Sequence, residues 1–142
     1  MTQSNLEDAR KYMTEAYTAL ETGKFNLERF PKTTVEQAYY SLFYACHAAL
    51  AVLGLYPKNH EGVHNMISKE YVKEGKLPKE LPSILSSLEE RRGKATYKFI
   101  SFSTQDADYH LNRASNAVNQ IYEYLHGLYP DVFNPETLVP PR

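Results

Sequence analysis

Arg91 and Arg92 stand side by side, with Lys94, Tyr97 and Lys98 close behind. Arginine presents a planar fork of N–H donors that fits two phosphate oxygens at once, so such a pair suits a phosphorylated ligand. Lys94 adds field, and the Tyr97 ring can stack on a base or orient it through its hydroxyl. With Lys76 and Lys79 upstream, and Glu80, Glu89 and Glu90 in partial opposition, residues 58–98 hold nine basic against six acidic groups. Residues 99–142 hold two against five. The same basic run also reads as a solvated helix end, where cations complement the helix dipole.

Other chemistry-bearing residues are scattered. His60 and His64 lie four apart and share a helix face, but a useful metal site needs a third ligand, and Glu61 falls on another face. No metal and no cofactor are expected. Cys46 has no neighbouring positive charge to lower its pKa and reads as packing. Tyr39, Tyr40, Phe43, Tyr44 and His47 recur at helical spacing among alanines. Their rings could stack bases, and equally could form a core or dimer face. Serine triads, glycine-rich phosphate loops and paired-carboxylate motifs do not occur in the sequence.

Five segments with a helical apolar period must position these groups. The first spans about Ser4 to Thr22, with Ser4 and Glu7 as a capping box and Gly23 as its stop. The second starts at Thr33, with Glu36 completing a capping box, and runs to Leu53 before Gly54 and Pro57. A third follows Asn59, uses Val63, Met66, Ile67 and Tyr71, and closes at Gly75. The fourth begins near Pro82, buries Ile84, Leu85 and Leu88, and ends in the charged run to Lys94. The fifth, from a Ser103 cap to Gly127, shows one face of Ala107, Leu111, Ala114, Val118, Ile121, Tyr122 and Leu125. Nothing alternates like a strand. The expectation is an all-α, up-and-down bundle of four to five helices over residues 1–127. A tail over 128–142 holds Pro130, Pro135, Pro140 and Pro141.

Composition sets the outer bounds. The chain has 142 residues, 42% hydrophobic and 23% charged, with 16 Lys plus Arg against 17 Asp plus Glu. That is one domain's worth of ordinary globular sequence, too near neutral to hold nucleic acid by bulk charge. A single cysteine excludes an internal disulfide, and the start lacks the pattern of a secretory signal, so a cytoplasmic protein is expected. Residues 37–57 carry no formal charge. Gln37, Ser41, His47 and the tyrosines make this run a poor membrane span and a good bundle centre. So much apolar surface on one helix suggests a homodimer.

The run Ala38-Tyr39-Tyr40-Ser41-Leu42-Phe43-Tyr44-Ala45 resembles the second-helix motif of HEPN domains, the nucleotide-binding family of higher eukaryotes and prokaryotes. Lys58-Asn59-His60-Glu61-Gly62-Val63, then Tyr71-Val72-Lys73-Glu74-Gly75, then Arg91 and Arg92 before Tyr97 follow in the family's order, over about residues 4–126. The resemblance implies a homodimeric bundle of toxin–antitoxin or defence systems, often paired with a minimal nucleotidyltransferase. Catalytic members are metal-independent ribonucleases that use an Arg, four to six residues, then a His, facing the same motif of the second subunit. In such a site the His moves protons and the Arg stabilises developing charge.

This sequence departs from that motif, since Tyr97 stands where the His would be and no His occurs between Arg91 and Tyr109. A phenol with a pKa near 10 is a poor general base at neutral pH. Tyr44 also replaces a His that many members carry. The resemblance therefore implies a retained pocket of Arg91, Arg92, Lys94 and Tyr97 that binds nucleotide, RNA or a partner with weak or no catalysis. Arg92 and Tyr97 are the catalytic candidates if any chemistry survives. Two alternatives stay open: an endoribonuclease toxin in which Tyr97, or a His recruited from elsewhere such as His60 or His110, replaces the missing His, and a pure protein-interaction module.

Overall fold

The computed structural model describes residues 2–138, and these form five α-helices and no strand. They are α1 (Gln3–Asn26), α2 (Pro31–Val52), α3 (His60–Ile67), α4 (Leu81–Tyr97) and α5 (Thr104–Leu128). A π-helical turn, Ser68–Val72, continues α3. The fold is an all-α bundle with α2 at its centre, touching each of the other four helices. That place explains the uncharged run: Ala38, Tyr39, Leu42, Ala45, Cys46 and Ala48 through Val52 are buried by the bundle itself. Small alanines on most sides let neighbouring helices approach closely. No helix is long and apolar enough to cross a membrane among the described residues.

Two caps fall where the sequence places them. Asn59 Oδ1 accepts from the Gly62 amide at 2.7 Å, and Ser103 Oγ accepts from the Asp106 amide at 3.0 Å, each satisfying a free donor of a first turn. Gly54 and Gly75, at φ +76° and +72°, take the left-handed positions that end α2 and the π-helical turn.

Other boundaries differ from expectation. Helix α1 is capped by Thr2 Oγ1, which accepts from the Asn5 amide at 3.2 Å, and not by Ser4. It also runs through Gly23 to Asn26. There the glycine serves close packing: a Cβ would lie 3.0 Å from Leu111 Cδ1 and 3.5 Å from Gln37 Cβ, and the Gly23 carbonyl accepts from Thr34 Oγ1 at 2.6 Å. Helix α2 starts at Pro31, whose missing N–H costs nothing in a first turn, and no side chain caps it.

Helix α4 runs past Lys94 to Tyr97, through Gly93. Its last turn is held by Ala95, packed with Val35 and Ala107, and by Thr96 Oγ1, which donates to Glu36 Oε2 at 2.5 Å. The glutamate expected to complete a capping box thus ties α2 to α4. Past α5 the chain turns back onto the body: Phe133 is fully buried, and Arg10 Nη1 donates to the Thr137 carbonyl at 3.0 Å. Pro140 and Pro141 lie outside the described residues.

Candidate functional site

The buried stripe of α4 reads Leu81, Leu85, Leu88, Arg92, Ala95, so a cation occupies a core position of the helix. Arg92 is only 9% exposed. Its guanidinium carbon lies 5.3 Å from the Tyr39 ring centre, 5.9 Å from Tyr40 and 5.4 Å from Tyr97. Nη1 donates to the Tyr97 hydroxyl at 3.4 Å, and Nε is buried without a partner. Among the described residues two ion pairs form, Arg10–Glu7 and Lys94–Glu90, and neither involves Arg92. Aromatic faces hold the charge by their quadrupoles but offer the buried Nε–H no acceptor. Burial works against that charge, but the Tyr97 hydrogen bond and the surrounding phenols outweigh it and hold the guanidinium above its ordinary pKa.

Of the four residues assigned to one pocket, Arg92 and Tyr97 are in contact. Tyr97 is 69% exposed, so one part of its ring meets Arg92 while most remains open to solvent. Lys94 is taken up by Glu90 at 3.1 Å. Arg91 is half-buried on another side of α4, close enough to His110 to depress its pKa beyond what burial alone does. A helix turns about 100° per residue, so adjacent arginines cannot face the same ligand squarely.

The aromatic residues of α2 divide in the same way. Tyr39 is fully buried, and its hydroxyl is hydrogen-bonded to His60 Nδ1 at the start of α3. Burial first, and then the Glu89 carboxylate, push its phenol above the ordinary range. Phe43 lies 4.9 Å from the His60 ring and 4.6 Å from that of His47. His47 is buried with Nδ1 unpartnered and stacks on Tyr12 at 5.0 Å. Tyr40 and Tyr44 are half-buried, one turn apart, with ring centres 6.3 Å apart. Among the described residues no three His, Cys, Asp or Glu side chains gather as a metal site would need.

Sequence reasoning missed the contacts of four residues. Tyr39 and Tyr40 carry Arg92 rather than acting only as packing. His60 reaches Tyr39 from a distant helix, and the signal for it was the rule that a buried tyrosine hydroxyl needs a partner. Phe99, 78% exposed at φ +53°, lies 5.7 Å from Lys32 Nζ in the α4–α5 connection. A non-glycine residue at such a φ is uncommon and strained.

The fold is a five-helix bundle with an arginine seated among tyrosines at the end of α4. The chain belongs to the HEPN domain family, whose model matches residues 2–125. A relative from Methanocaldococcus jannaschii named "Putative toxin MJ0142" is 31% identical over 121 residues, covering 83% of this chain and 82% of that one. A UPF0332 protein of Thermotoga maritima is 29% identical over 97 residues, 68% and 74% of the two chains. A second M. jannaschii protein, "Putative toxin MJ0605", is 29% identical over 94 residues, 66% and 70% of the two.

Proposed function

We propose that this chain binds the phosphate and base of a nucleotide or RNA at Arg92 and Tyr97, with weak or no catalysis of its own. It acts in the cytoplasm as one component of a toxin–antitoxin-like pair, with a minimal nucleotidyltransferase as partner. The carrying observation is Arg92 itself: a buried guanidinium with no carboxylate paired to it among the described residues and Nε unsatisfied. An unpaired buried charge is costly to the fold, and a phosphate would supply the missing acceptors. Tyr97 and Phe99 add exposed rings beside Lys32 and Lys98, the combination that tracks a single strand. The relatives named as toxins favour the toxin–antitoxin setting. Tyr40, Phe43 and Tyr44, half-exposed along α2, with exposed Phe99 and Ile100, favour a homodimer. Sedimentation as a monomer at micromolar concentration would remove that element.

A second reading is a metal-independent endoribonuclease. His60 favours it, since this imidazole bonds the same Tyr39 whose ring carries Arg92. His110 sits instead between Phe102 and Tyr109 and is pushed toward its neutral form by burial and by Arg91 and Arg113. One experiment separates the readings. Labelled single-stranded RNA is incubated in EDTA with the wild type and with Arg92→Ala prepared identically. Binding by the wild type that is lost in the variant, with intact RNA in both, is the expected result. Cleavage that disappears in Arg92→Ala would establish the ribonuclease instead. Absence of binding in both would leave a protein-interaction module, for which partner capture should survive loss of Arg91 and Arg92.

A further inference from the structure

Away from Arg92, α1 and α2 enclose a second tyrosine-lined feature of opposite charge. A cleft of about 320 Å³ is lined by Asp8, Lys11, Tyr12, Glu15, Tyr44 and Tyr56. Asp8, Lys11, Tyr12 and Glu15 recur at i, i+3, i+4 and i+7, so they form one face of α1. Tyr44 closes the opposite wall from α2, and Tyr56, in the connection to α3, donates to Asp8 Oδ2 at 2.8 Å and to Asn5 Oδ1 at 3.1 Å. Three phenol rings therefore border a space with two carboxylates and one ammonium, leaving one negative charge in excess. Neither carboxylate takes part in an ion pair among the described residues.

The neighbouring phenols register that charge. Burial and then Glu15 raise the Tyr44 pKa, and burial together with the Asp8 hydrogen bond pushes Tyr56 up to about 12. His47 does not line the cleft but stacks on Tyr12, rings inclined by 17°, which fixes the plane of that wall. Desolvation and then His60 lower the pKa of this imidazole, which favours its neutral form. Aromatic faces carry a negative quadrupole, and several around a space, with a carboxylate nearby, select an organic cation with apolar substituents over a hydrated metal ion.

We propose that this cleft binds a small singly charged organic cation of the quaternary or alkylated ammonium class. Its charge faces Glu15 and Asp8 while its methyl groups rest on Tyr12, Tyr44 and Tyr56. The cleft's size lies at the lower end of small-molecule sites, which suits a ligand of a few heavy atoms. A phosphate is excluded by the same carboxylates. The site is therefore independent of the anion seat at Arg92.

Choline is the probe, and 3,3-dimethylbutan-1-ol, the same shape without the charge, is its control. The full chain, labelled on tyrosine rings, is titrated with each and followed by NMR. The expected result is saturable shifts of Tyr12, Tyr44 and Tyr56 with choline and none with the alcohol. Glu15→Gln and Tyr44→Leu should each weaken choline by about fivefold, the equivalent of one charge or one aromatic face. Arg92→Ala should leave choline affinity unchanged, so failure of the RNA reading would not touch this one. Equal response to the alcohol, shifts that do not saturate, or full affinity in Glu15→Gln would overturn the proposal. Glu15 is exposed on α1, so its variant reports on charge without disturbing the core.

Discussion

Tyr40 and Tyr44 are one turn apart on α2, their rings 6.3 Å apart and inclined by 29°, yet only Tyr40 lies against a buried cation and only Tyr44 lines the acidic α1–α2 cleft. Both border Glu15 along a shallow groove, but Tyr40 also meets the Arg92 guanidinium, whereas Tyr44 continues into the cleft beside Asp8 and Lys11. The two regions are built from the same aromatic material. The flanking charge and its burial decide what each can hold. At Arg92 the charge is inside the fold, where low dielectric strengthens its pull on an anion and also makes it costly when unpaired. In the cleft the carboxylates are half-buried or exposed, and water weakens both effects.

The largest consequence concerns Arg92. Arg92→Met keeps length and apolar bulk but removes the charge, so RNA affinity should fall about tenfold or more, the scale of one charge-assisted phosphate contact. The same change removes an unpaired buried cation, so thermal stability should stay level or rise. Calorimetry and filter binding on one preparation check both halves. A fall in both would mean that Arg92 is structural and the contrast with the cleft is false. Glu15→Gln in the cleft should alter neither quantity.

Next in size is Tyr97. Its ring is mostly open and its hydroxyl accepts from Arg92 at 3.4 Å. Tyr97→Ala removes both functions and should weaken single-stranded RNA binding by roughly fivefold or more, within the range of one base stacking on an aromatic. Tyr97→Phe keeps the ring and should lose little. If Phe is as damaging as Ala, the hydroxyl's hold on Arg92 matters more than stacking.

A smaller effect separates the two regions by pH. His47, beside the cleft, and His110, beside Arg91, both have pKa values lowered from the ordinary 6.5. The unfolded chain then binds more protons than the folded one between the depressed values and 6.5, so stability rises with pH there. The contribution is present above pH 6.5 and is lost as the pH falls toward the folded-state values. Urea midpoints should therefore drop between pH 7.5 and 5.5, and replacing either His by Gln should flatten the slope. Salt should reduce only the parts that come from neighbouring charges, Arg91 and Arg113 at His110 and His60 at His47, because burial, the main cause at both sites, is not screened. A slope left unchanged by both substitutions would contradict this origin.

How much of this was legible in sequence depends on range. Element types follow from period, and the Asn59 and Ser103 caps follow from local chemistry, because each bond closes within one turn. Ends set by distant contacts were not readable. Gly23 looks like a stop until Leu111 and Thr34 are placed against it, and α4 seems to end at its charges until Thr96 meets Glu36. The site divides likewise. Arg92 and Tyr97 stand out by type and spacing, whereas the Tyr39–His60 bond joins groups on separate helices with no shared motif. Arg91 and Lys94 are neighbours of Arg92 in sequence, yet on α4 Arg91 lies near His110 and Lys94 pairs with Glu90.

The smallest effect comes from Gly93, between Arg92 and Lys94 inside α4. Nothing lies within 4 Å of where its Cβ would stand, so the position costs helix stability without a packing reason. Gly93→Ala should stabilise the fold by about 1 kcal/mol, since alanine loses less backbone entropy in a helix. For a domain of this size that is a rise of roughly 3 °C in Tm. If the open space beside Arg92 is where a phosphate approaches, the added methyl group should lower RNA affinity while raising Tm. An alanine that stabilises and leaves RNA binding intact would place the approach on another side of the guanidinium, toward Tyr40 and Tyr97. The cleft gives the reference for that result, because choline affinity there should not respond to Gly93→Ala under either outcome.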